Sequence, residues 1–194
     1  MEQPLNEQSS LELIESMINK AKNSFSESGT LYLLWGIVIF ICSLTQFIGE
    51  RLNYEHTNYV WYLTWVMAIY QVIYISRRSK KERAKTYTAD MLKYVWICFA
   101  VCMFLGIFIL ISRGAYSSVV PVILVMYGMP TFLSGSILKF RSLVIGGIAC
   151  WVLSFLSIQF PDQYQPLFIC AAVVIAWIIP GYLLYLKHKN EHSS

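Results

Sequence analysis

The residues able to do chemistry are few and mild. His56 follows Glu50 and Glu55 in a short polar stretch between apolar runs. Such a set holds a metal ion weakly, and a solvated loop accounts for it fully. Ser134 and Ser136 flank Gly135, but a serine nucleophile needs a base facing it. The three histidines, His56, His188 and His192, all lie outside the apolar runs. Cys98 and Cys102 share a helix face at i,i+4, and two thiols without a histidine or carboxylate make a poor metal site. Cys42, Cys150 and Cys170 also sit in apolar runs with no C-x-x-C pair, the pattern of small buried hydrophobes. There is no H-E-x-x-H, no pair of buried aspartates and no glycine-rich phosphate loop. The chain reads as a non-enzyme with no cofactor and no metal. Transport driven by buried carboxylates is disfavoured for the same reason.

What remains at depth is uncharged. Gln46, Gln71, Thr131, Ser134, Ser154 and Ser157 lie inside apolar runs, where interhelical hydrogen bonding is their default use. The two glutamines are the costliest to leave unpaired, so they are expected to face protein. A second use is possible for three of them: Gln71, Thr131 and Ser134 are the candidate lining of a solute path.

The elements that position these groups follow from composition. The chain has 194 residues, 57% hydrophobic and 13% charged; a soluble domain carries about 25% charged residues. Six apolar runs cover residues 31–49, 58–76, 91–112, 117–135, 142–160 and 166–187. Each approaches the ~20 residues that cross a hydrocarbon layer about 30 Å thick. The fold class is therefore all-α: a polytopic bundle of six transmembrane helices. Aromatic residues crowd the ends of the runs, as in a membrane-interface belt.

Residues 1–30 form an N-terminal cytoplasmic segment. Ser9 and Glu12 read as a capping box, and Leu11, Ile14, Ile18 and Phe25 then recur at helical spacing. An amphipathic helix over about 10–27 is expected. It either packs at the membrane surface or docks a cytoplasmic partner. The segment is polar and partly acidic, unlike a cleavable leader, so insertion is expected to begin at the first span.

Orientation comes from charge. Arg77, Arg78, Lys80, Lys81, Arg83 and Lys85 crowd into residues 77–85 between the second and third runs. With both termini inside, 13 of the 15 basic residues are cytoplasmic and only Arg51 and Arg113 face out. The tail over 188–194 is then cytoplasmic too. The net charge of +4 lies in loops, which suits anionic lipid headgroups rather than nucleic acid. The same basic loop could meet an acidic protein partner.

Pro121 and Pro130 in the fourth run, and Pro180 with Gly181 in the sixth, are candidate hinges. Small residues recur four apart at Ser142, Gly146 and Cys150, at Cys102 and Gly106, and at Ala172 and Ala176. Such rows allow close helix contacts within the bundle or between copies in a homo-oligomer.

Four stretches resemble a known family. They are LYLLWG at 31–36, GMPTFLSG at 128–135 with LKF at 138–140, GGIACW at 146–151, and IPGYLL at 179–184. Along most of its length the chain resembles an uncharacterised family of small six-span inner-membrane proteins from Bacteroidota. The resemblance implies a multi-pass location in the bacterial inner membrane and a signalling or regulatory partner role. It implies no activity, cofactor or catalytic residue. The reading is thus a non-enzymatic membrane protein acting through partner contacts, with a transporter or channel for a neutral or amphiphilic solute as the alternative.

Overall fold

The computed structural model describes residues 32–79 and 87–191. The amphipathic stretch with Leu11, Ile14, Ile18 and Phe25 lies outside them, as do Lys80, Lys81, Arg83 and Lys85. Every regular element among the described residues is helical. Helix α1 is Tyr32–Arg51, α2 Tyr62–Ser79, α3 Tyr87–Ser112, α4 Val119–Ile137 and α5 Arg141–Ser157. Helix α6, Gln165–Val173, runs through a π-turn at Val174–Ile178 into α7, Ile179–Glu191. Arg77 and Arg78 fall in the last turn of α2.

Among the described residues, four stretches are long and apolar enough to cross a membrane: Tyr32–Arg51, Met91–Ser112, Tyr116–Ile137 and Asp162–Leu186. The other two expected spans differ for physical reasons. Helix α5 is apolar but only 17 residues long. In the 58–76 run, Thr57–Trp61 is wound as a 3-10 turn, so α2 starts late and takes in Arg77 and Arg78 at its end. Its apolar length is cut at both ends.

Three helix ends show why the connections are tight. Asn53, Gly114 and Lys139 take left-handed φ values of 54°, 69° and 52°. The next N–H in each case reaches five residues back: Tyr54 to Gly49 O, Ala115 to Leu110 O and Phe140 to Gly135 O, at 2.9, 2.9 and 2.8 Å. Asn53, Gly114 and Lys139 themselves donate to Glu50 O, Ile111 O and Ser136 O. These paired bonds form the Schellman closure, which satisfies the last carbonyls of α1, α3 and α4 and reverses the chain at once.

The reversal after α4 sets up close packing of α4 on α5. A Cβ on Gly135 would stand 2.6 Å from Val144 N, and one on Gly147 would stand 2.7 Å from Phe132 Cβ. Backbones of α4 and α5 therefore touch where glycine leaves room. Gly146 and Ala176 close the α5 contact with the π-turn, a Cβ on Gly146 lying 2.7 Å from Ala176 Cα. Cys150 and Ala172 are buried in the same core. The row on α3 differs: Cys98 and Cys102 are exposed, and a Cβ on Gly106 meets nothing within 4 Å. Helix α3 has no fully buried residue in its apolar window.

Proline does not break α4. Pro121 lies in its first turn, and Pro130 sits inside a helix that continues to Ile137. Pro121 has no N–H for the carbonyl of Ser117, four residues back. Gln165 Nε2 donates to that carbonyl at 2.9 Å and to Asp162 Oδ1 at 2.9 Å. Ser154 Oγ donates to Pro121 O at 2.8 Å, and Ser43 Oγ to Pro166 O at 2.6 Å. Ser43 and Ser154 thus serve as helix-to-helix ties.

Candidate functional site: a buried hydroxyl and aromatic cluster

Tyr127, Thr131 and Ser134 share one face of α4, at i, i+4 and i+7. All three are buried. Thr131 Oγ1 donates to Tyr127 O at 2.7 Å, the back-bond by which a helical threonine satisfies its own hydroxyl. The same oxygen accepts from Trp177 Nε1 at 3.0 Å. Trp177 lies within the π-turn, so that turn aims its indole at α4. A buried indole N–H needs an acceptor, and Thr131 is the one it finds.

Aromatic rings enclose these groups. Tyr127 and Trp177 lie 4.8 Å apart, centroid to centroid. Trp96 of α3 stands edge-on to Trp177 at 6.2 Å and to Tyr32 at 5.7 Å. Phe99 completes the ring set at 5.5 Å from Trp96 and 5.9 Å from Tyr127. Edge-to-face pairs of this kind add to simple area burial. Helix α1 reaches the cluster because Gly36, one turn after Tyr32, has no side chain. A Cβ there would lie 2.8 Å from Ile178 Cγ1 and 3.3 Å from Trp177 Cβ.

Two hydroxyls remain unsatisfied. Tyr32 Oη lies near Ser134 and the Trp96 indole, yet neither approach closes to a hydrogen bond, and Tyr32 Oη and Ser134 Oγ are both buried without a partner. Tyr32 is 6% exposed and Ser134 0%. Each such group forfeits about 1–3 kcal/mol of hydration.

The cluster gathers two of the three residues expected to line a solute path, Thr131 and Ser134. The third goes elsewhere: Gln71 accepts from Trp35 Nε1 at 2.6 Å, binding α2 to α1. Gln46 likewise accepts from Trp61 Nε1 at 2.7 Å and donates to Glu50 at 2.7 Å. Both glutamines face protein, as expected. Pro180 and Gly181 open α7, directly after the π-turn. His56 stacks on Tyr59 at 5.1 Å, and Arg51 lies over the Tyr164 ring at 4.9 Å.

Tyr32, Trp96 and Trp177 were not singled out in the sequence. A signal was present for Trp177: a tryptophan in mid-span, just ahead of a proline, must place its N–H on something. The chemistry available here is hydrogen bonding and packing by neutral groups. No hydroxyl of the cluster is bonded to a base that could activate it. No protein-family model, no curated protein and no solved structure matches the chain.

Proposed function

We propose that this chain is a non-enzymatic protein of the bacterial inner membrane, with six spans and both termini cytoplasmic, that acts through contacts with a cytoplasmic partner. One observation carries the preference over transport. Thr131 and Ser134, two of the three polar groups expected to line a solute path, have no exposed surface, Trp177 occupies the Thr131 hydroxyl, and the third, Gln71, is bonded to Trp35 instead. Four apolar stretches of spanning length support the membrane location. In the six-span arrangement α2 and α5 supply the remaining crossings, and the positive-inside bias sets the direction. The resemblance to the six-span Bacteroidota proteins agrees with both. The amphipathic stripe of Leu11, Ile14, Ile18 and Phe25 and the basic residues 77–85 then provide the partner surface. The basic residues also draw anionic headgroups, at about 1 kcal/mol each near the surface.

A second reading, passage of a neutral or amphiphilic solute, draws on the two unpartnered hydroxyls, which a guest or water would satisfy. The test compares the full chain with a version lacking residues 1–25, each purified in mild detergent from its own cells. The partner reading expects specific companions to disappear from the truncated protein while its size-exclusion profile is kept. Retention of every companion would sink it.

A further inference from the structure

Helices α6 and α7 would be one continuous rod but for the π-turn at Val174–Ile178, where Ile179 N–H bonds Val174 O, five residues back. Such turns are rare and concentrate at functional sites. Several features meet at this one. Trp177, inside it, is 3% exposed and donates to Thr131. Gly36 and Gly146 bring α1 and α5 onto the turn at distances that leave no room for a Cβ. Pro180 follows directly. In a regular helix its ring would collide with the carbonyl four residues back, that of Ala176, and its missing N–H could not bond it. The π-turn ends two residues before Pro180, whereas Pro130 sits in a helix with no such turn. Beside the turn's tryptophan, Tyr32 Oη and Ser134 Oγ are buried unpaired, so the packed arrangement carries uncompensated polar groups.

We propose that Val174–Ile178 is a two-position register switch. In the position described above the turn keeps its extra residue and Trp177 is bonded to Thr131. In the other position the extra residue leaves the turn, residues 174–178 wind as ordinary α-helix, and Pro180 kinks the rod. One residue of an α-helix subtends about 100°. Trp177 and α7 therefore turn by roughly that angle relative to each other's present neighbours, and the indole leaves Thr131. Water entering the loosened cluster satisfies Tyr32 and Ser134. The output is the rotation of α7, on the side of the bundle where α4 ends at Lys139. The switch serves either reading of function and depends on neither.

The test is 19F NMR of the full chain labelled with fluorotryptophan in lipid nanodiscs, with Trp177→Phe assigning the resonance. The expected result is exchange of the Trp177 signal between two positions on a microsecond-to-millisecond scale. Thr131→Val, which removes the acceptor but keeps the shape, should raise the minor population several-fold. Deleting Ile175 removes the residue that a π-turn adds, and its Trp177 signal should coincide with the minor position. A single unexchanging Trp177 signal in both the parent chain and Thr131→Val overturns the proposal, whether or not the deletion variant folds. So does exchange whose populations Thr131→Val leaves unchanged.

Discussion

Trp35 Nε1 donates to Gln71 Oε1 at 2.6 Å, and this bond joins α1 to a helix that is otherwise held along a thin edge. Much of α2 faces outward: Leu63, Trp65, Val66, Ile69, Tyr70, Val72 and Ile73 are all exposed. Interhelical hydrogen bonds in membranes contribute about 0.6 to 2 kcal/mol. Gln71→Leu and Trp35→Phe should each lower the thermal unfolding midpoint in detergent. In the double variant the losses should fall short of additive by about 1 kcal/mol. Full additivity would mean the two residues act separately.

Gly147 and Gly106 should respond in opposite ways. Gly147→Ala puts a methyl 2.7 Å from Phe132 Cβ and 2.8 Å from Phe132 N, so α4 and α5 must part. A loss of about 1–3 kcal/mol is expected, as for other overpacked cores. Gly106→Ala meets nothing within 4 Å and gains about 0.5–1 kcal/mol of helix preference. Chemical denaturation of both variants reads the contrast directly.

Lys139 occupies a left-handed position, φ 52°, at the end of α4. A side chain there costs roughly 1–2 kcal/mol, part of which glycine returns as lost unfolded-state entropy. Lys139→Gly should stabilise by about 0.5–1 kcal/mol. A fall in the unfolding midpoint would show that the lysine itself makes an interaction worth more than the strain.

The unpartnered hydroxyls make a further contrast. Tyr32→Phe and Ser134→Ala each delete a buried oxygen that has no hydrogen bond. Both should leave the midpoint unchanged or raise it. Gln165→Leu is expected to do the reverse, because it strips the partner from Ser117 O beside Pro121, at about 1 kcal/mol. If Tyr32→Phe destabilises by more than that, its hydroxyl is bonded in solution.

The helical class, the apolar character of its elements and the positions of the reversals were legible in the sequence. Long uncharged runs have one stable form in a membrane, and Lys139, Gly114 and Asn53 fall where the runs stop. The need of Gln46 and Gln71 for partners was legible too, since a buried amide demands one. Which partners they take was not. Trp61 and Trp35 are brought to them by the docking of α2 on α1, a contact no local pattern encodes. Pro130 and Pro180 look equivalent as letters, yet one sits in a helix that runs on to Ile137 and the other follows a π-turn. That difference comes from neighbours: Gly36 and Gly146 fit the turn's backbone, and Thr131 receives its tryptophan. The sequence by itself determined that the described elements are apolar helices, because that depends on the solvent and the local chain. Only the tertiary structure decided which polar groups are paired, which are left over and where the rod is irregular, because these depend on distances between helices far apart in sequence.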